Sequence, residues 1–220
     1  MDQAVATAIV PAYNEAKTIS PVVSELVRSP YFKEVIVVSD GSTDETAQVA
    51  EQAGATVYQL PIKNGKGAAM QHGLAHSETE IVAFFDADLK GFTADHAERI
   101  ILPVLTGARV MNVGLRDRGS IITGLMHFLP LIGGERAMYR HVFEAIPDRY
   151  IQGFMIESAL NYYCRSRKLT YGGVKLPGIK IVHKYEKVGY LRGLIEYIKM
   201  SIEIIKAMTI VRIDHWRGKF

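Results

Sequence analysis

A single cysteine, Cys164, stands among 220 residues, so no internal disulfide framework exists and the chain must be held by a packed core. That usage fits a reducing compartment. A lone cysteine on a helix-like stretch reads as packing rather than as a nucleophile, and it cannot build a metal site by itself. Long apolar runs are also missing. The best candidate, Ile121–Ile132, contains His127 and is too short to span a bilayer. The N-terminus, MDQAVATAIV, enters a strand-like pattern with no basic and then apolar leader, so the expected location is cytoplasmic. No Gly-x-Gly-x-x-Gly follows the first strand, which argues against a dinucleotide or FMN domain. The Gly-x4-Gly-Lys-Ser/Thr phosphate loop is absent too. Basic residues interleaved with aromatics are not found, and nucleic acid is not an expected partner.

What is present describes one globular domain of 48% hydrophobic and 22% charged residues. The net charge of +3 is unevenly spread. Residues 1–160 carry 13 Lys/Arg against 19 Asp/Glu, whereas residues 161–220 carry 13 against 4. The basic end is either a solvated surface or an attraction to an anionic partner, a phosphorylated substrate or an acidic membrane surface.

Three β-branched or apolar runs, Val5–Val10, Val35–Ser39 and Ile81–Phe85, read as buried strands. Helical patterns fill residues 15–28, 66–76 and 94–106, and Ser42 with Glu45 makes a capping box for a helix to about Ala53. A strand is expected near Val110–Gly114, a helix over 119–132, and another from Phe154 to about Arg167. Two short strands, Val174–Leu176 and Ile179–His183, follow. Residues from Gly189 to about Arg212 form an amphipathic helix. Its apolar stripe suits packing on the domain or a homodimer partner, with a peripheral membrane surface as the alternative. The alternation implies an α/β fold with a mainly parallel sheet and ligands beyond the strand C-termini. The polar clusters Pro11–Glu15, Asp40–Asp44 and Asp86–Asp88 should therefore share one rim.

Chemistry gathers on that rim. Asp86-Ala87-Asp88 leaves a strand with two carboxylates spaced to hold a hard divalent cation against a diphosphate. In Asp40-Gly41-Ser42-Thr43-Asp44 the turn chemistry does not explain Asp40, whose carboxylate can accept from a base N–H. Asn64-Gly65-Lys66-Gly67 opens a helix, where Lys66 and the backbone can meet phosphate oxygens.

In their order and spacing, Ile9-Val10-Pro11-Ala12-Tyr13-Asn14-Glu15, Val38–Asp44, Asn64–Gly67 and Phe85–Asp88 resemble family-2-like glycosyltransferases of the GT-A fold. Polyprenyl-phosphate glycosyltransferases and glucosyl-3-phosphoglycerate-synthase-like enzymes are both similar. The resemblance implies one domain: a nucleotide-binding part at 1–115, an acceptor and catalytic part at 116–188 and a helical tail at 189–220. Pro11, Ala12, Tyr13 and Glu15 would line the nucleoside pocket, Asp40 would read the base, and Lys66 would approach donor phosphates beside Asp86 and Ala87. Asp86, Asp88 and His183 would hold Mg²⁺ or Mn²⁺. Gly133–Ala137 looks like the acceptor loop, in which Gly134 and Arg136, helped by Arg140, would take an acceptor phosphate or carboxylate. As in inverting relatives, Glu157 would be the general base toward the acceptor hydroxyl; the retaining course of glucosyl-3-phosphoglycerate-synthase-like enzymes would remove the need for it. The implied activity is sugar transfer from a UDP- or GDP-sugar to a small phosphorylated or polyprenyl-phosphate acceptor. The alternatives are a catalytically silent nucleotide-sugar-binding module and a nucleotidyltransferase.

Overall fold

In the computed structural model, which describes residues 5–116, 133–152, 155–179 and 205–218, seven strands form one sheet. The strands are β1 (Ala6–Ala12), β2 (Phe32–Asp40), β3 (Thr56–Leu60), β4 (Ile81–Phe84), β5 (Met111–Arg116), β6 (Arg136–Tyr139) and β7 (Tyr171–Leu176). Their order is β3-β2-β1-β4-β6-β5-β7. All neighbours run parallel except β6, which is antiparallel to both β4 and β5.

Period-two alternation explains the layers. Ala8 and Val10 of β1, Val35 and Val37 of β2, and Ala83 of β4 face one core, shared with Val22 and Leu26 of helix α1 (Ile19–Arg28) and Ile100 and Ile101 of helix α4 (Ala94–Leu105). The intervening residues Ile9, Ile36, Val38, Val82 and Phe84 face the other. There they meet helices α3 (Lys66–Ala75), α5 (Arg140–Glu144), α6 (Met155–Ser166) and α7 (205–216). Strands buried on both faces need apolar residues at every position, which is why β1, β2 and β4 read as continuous runs. Each such side chain contributes about 1.5–3 kcal/mol by leaving water.

Several expectations about local structure are corrected. Strands β3 and β6 and the short helix α5 were not expected, and β7 begins earlier than Val174. Helix α2 (Thr46–Gln52) starts at Thr46, and Ser42 does not cap it. Instead the Asp44 carboxylate accepts from the Thr46 amide at 3.1 Å, while Ser42 Oγ accepts from the Asn14 amide at 3.1 Å. A carboxylate two residues before a helix offers the first turn a stronger acceptor than a distant hydroxyl. The helix expected over 119–132 and the strand residues 180–183 lie outside the described residues, as does most of the expected 189–212 helix.

Cys164 is fully buried on α6, and burial pushes its thiol up to about 12. Thiol reagents at neutral pH are expected to leave it untouched in the native protein and to label it fully in denaturant. Alkylation followed by intact mass measurement checks this, and labelling of the native chain at the rate of a free thiol would contradict it.

Candidate active site

The C-terminal ends of β1, β2 and β4 bring three loops to one rim, as parallel strands must. The first two loops are stapled together. Asn14, with a positive φ of 55°, accepts from the Thr43 amide on its side-chain oxygen at 2.8 Å, and the Glu15 amide donates to Thr46 Oγ1 at 2.8 Å. The Glu15 carboxylate accepts from the Thr18 hydroxyl at 2.6 Å. Tyr13 is exposed beside this staple, with the Lys63 ammonium 3.6 Å above its ring centroid. Pro11 and Ala12 lie at the end of β1 beneath it.

Asp40 is placed more deeply than its expected role requires. It is buried, and its two oxygens accept the Asn64 and Gly65 amides, each at 2.7 Å. The turn that opens α3 is therefore clamped to the end of β2. Gly41 permits this approach: its φ is +68°, and a Cβ there would sit 2.5 Å from the Lys63 nitrogen. Lys66 follows immediately as the first residue of α3.

Lys66 reaches Asp86, its ammonium 2.5 Å from Oδ1. The other oxygen of Asp86 accepts from Arg116 at 2.6 Å, and the same guanidinium also pairs with Glu135. Arg116 ends β5, and Glu135 immediately precedes β6, fully buried. The site thus alternates in charge: Lys66, Asp86, Arg116, Glu135. Burial alone would favour the neutral acid at Asp86, but Lys66 and Arg116 outweigh it and hold the carboxyl at about 2. Glu135 shifts upward, through burial and then the charge of Asp86, against the opposing pull of Arg116. Burial works against the charge of Arg116 as well, yet its carboxylate partners keep it raised.

The Gly133-Gly134 segment is set by the same cluster. A Cβ on Gly134 would lie 2.5 Å from Asp86 Oδ2, so only glycine lets this chain pass the carboxylate. Arg136 does not stand in an exposed turn, as the sequence suggested. It opens strand β6, is 1% exposed, donates to the Gly133 carbonyl at 2.7 Å, and lies 4.0 Å from Glu157 in the first turn of α6. Among the described residues its Nη1 has no hydrogen-bond partner. On its outer side Arg136 meets Glu157, which keeps 15% of its side chain exposed.

Arg140 is removed from the site altogether. Because β6 runs antiparallel to β4, Tyr139 pairs with Ile81, and Arg140 emerges at the opposite end of the sheet from Asp86. Its guanidinium donates to the Leu74 carbonyl at 2.9 Å and to the Ser77 carbonyl at 2.5 Å, closing the C-terminus of α3. It is a clamp on the fold.

Asp88 is exposed and Ala87 buried between the two acids. Asp86 and Asp88 are hard oxygen donors of the kind Mg²⁺ and Mn²⁺ take. The two cations already drawn onto Asp86 show that this locus demands positive charge. Among the described residues no three His, Cys, Asp or Glu side chains form a metal group, and His183, the expected third ligand, lies outside them. Arg116 and Glu135 are the site residues that sequence reasoning missed. Arg116 belongs to no motif, and Glu135 was visible only as the residue after Gly133-Gly134.

A mainly parallel sheet with one reversed strand, and a paired-carboxylate turn facing a basic helix N-terminus, match the architecture of GT-A glycosyltransferase structures. The family model described as "Glycosyl transferase family 2" matches residues 7–164, and the chain belongs to that family. A dolichyl-phosphate beta-glucosyltransferase of Trichomonas vaginalis is 28% identical, over 97% of this chain and 73% of its own. The 4,4'-diaponeurosporenoate glycosyltransferase of Staphylococcus aureus is 39% identical over 100 residues, 43% of this chain but only 27% of that one. Among solved structures, glucosyl-3-phosphoglycerate synthase from Mycobacterium tuberculosis, in complex with Mn²⁺, UDP and glucosyl-3-phosphoglycerate, superposes with a TM-score of 0.74 at 22% identity. That match covers 94% of this chain and 79% of the other.

Proposed function

We propose that the protein transfers a sugar from a UDP-sugar to an acceptor that carries a phosphate. The observation that carries this reading is the convergence of Lys66 and Arg116 on Asp86, two cations aimed at the strand end where a diphosphate leaves. Tyr13 and the spare lone pairs of Asp40 serve the base, beside Pro11, Ala12 and Glu15. Asp86 and Asp88 would hold Mg²⁺ or Mn²⁺, with His183 as a further ligand, and the cation would supply positive charge for the departing diphosphate. Lys66 and Arg116, which converge on Asp86, are the chain's own cations for phosphate oxygens. Support for UDP, for the metal and for a phosphate-bearing acceptor comes from the complexes and names of the similar proteins above.

Glu157 is the general base, taking the proton from the attacking O–H, a hydroxyl or a singly ionised phosphate, as that oxygen bonds to the anomeric carbon and UDP leaves. Arg136, buried below it, is a positioning residue that lies 4.0 Å from the carboxylate and keeps it aimed. Replacing Glu157 with glutamine keeps the shape and removes the base, so turnover is expected to fall by about 10²–10⁴-fold with UDP affinity unchanged. Near-normal turnover in that variant would remove Glu157 from the chemistry.

The test of the reading as a whole is transfer of labelled sugar from UDP-glucose in the presence of Mn²⁺, to polyprenyl phosphate in one arm and to 3-phosphoglycerate in the other. Product in either arm supports a phosphate acceptor and names its source. UDP binding without product in either arm, or with any other acceptor offered, would overturn it.

A further inference from the structure

Helix α7 has one committed face and one that is not. Val211 is buried in the core shared with α6, Ala207 is buried on the same side, and Asp214 accepts from the Tyr150 hydroxyl at 2.6 Å. The other side presents Ile205 at 60% exposure, Ile213 at 42% and Trp216 at 91%. At about 100° per residue, Ile205 and Trp216 fall nearly in line, with Ile213 beside them. Arg212 borders this stripe on one flank, and Lys206 and Arg217 on the other. Asp214 is the helix's single described acid and is turned inward.

We propose that this outer face docks the protein on an anionic lipid bilayer. Trp216, Ile205 and Ile213 enter the headgroup boundary, where an indole rests with its ring in apolar surroundings and its N–H near water. Lys206, Arg212 and Arg217 meet the lipid phosphates. A second copy of the chain is a poorer occupant. A two-fold contact through this face would bring the three cations of one copy up against those of the other, whereas an anionic surface offers the opposite charge. The excess of basic residues over 161–220 acts in the same sense. Tyr162 of α6 packs edge-on to His215 at 5.3 Å, so the docked helix lies against the helix that carries Glu157. The inference rests on the transferase reading only for its purpose, which is delivery of a lipid-borne phosphate acceptor to the site.

Trp216 is the chain's only tryptophan, so intrinsic fluorescence reports on this face alone. The full chain is titrated with vesicles of phosphatidylcholine alone and of phosphatidylcholine with phosphatidylglycerol. The expected result is a blue shift and co-sedimentation with the anionic vesicles only, reversed by high salt. Lys206→Glu with Arg212→Glu is expected to weaken vesicle binding at least tenfold, and Trp216→Ser to abolish stable binding, with circular dichroism and UDP affinity unchanged. No shift with anionic vesicles overturns the proposal, as does equal binding of the charge-reversed variant. A blue shift that follows protein concentration without lipid also overturns it and assigns the face to self-association. Failure of UDP binding would strike the transferase reading and leave the vesicle result standing.

Discussion

Alanine at Asp88 is expected to cut turnover by about 10²–10³-fold and to abolish the metal dependence of UDP binding, with the melting temperature unchanged. Asp88 is exposed at the rim and its removal opens no core. It is the cleaner of the two acids to test. Asp86 holds Lys66 and Arg116 together, so its removal would leave like charges facing one another beside a buried Glu135. A calorimetric titration of UDP with and without Mn²⁺, on wild type and variant, measures the effect. Metal-enhanced binding that survives in the variant would take Asp88 out of the ligand set.

The second large effect concerns Asp40. Its replacement by alanine removes the charged acceptor shared by the part-buried Asn64 and Gly65 amides, and a hydrogen bond to a charged group is worth about 1.5–3 kcal/mol. A loss of about 2–5 kcal/mol in stability is expected, read as a lowered denaturant midpoint. Binding should suffer in a diagnostic manner. If Asp40 served the base alone, uridine and UDP would lose affinity equally. Because it also fixes the turn that presents Lys66, UDP is expected to lose at least tenfold more than uridine. Equal losses would confine Asp40 to the base, and no loss of stability would contradict the clamp.

These two acids also show what the sequence could carry. Both were legible as rim residues because each follows a run buried on both faces, and such runs announce a parallel sheet and hence where ligands gather. Strand β3 was not legible. It is the sheet's edge, half exposed, and Thr56–Leu60 shows neither a continuous apolar run nor a clean alternation. Strand β6 was hidden for a different reason. It is four residues long, begins with a fully buried arginine and follows two glycines, a local pattern that reads as a loop. Arg136 and Arg140 lie only four residues apart in the chain and were assigned to one loop. A strand rises about 3.3 Å per residue, so those four residues carry Arg140 to the far end of the sheet. The Arg116–Glu135 pair joins residues 19 apart, in segments without shared periodicity, and only the sheet order brings them together.

The reversal of β6 has an evolutionary corollary. Strand β5 leaves the sheet at Arg116, and the chain returns to the same rim at Gly133, just before β6 runs back into the core. The described chain on either side of residues 117–132 thus stands at one rim, beside Asp86. Between those two points the sequence can be lengthened, shortened or rewritten without altering the order or register of any strand. Sequence change can thus accumulate between those points as a cassette, while the strand ends that carry Asp40 and Asp86 stay as they are.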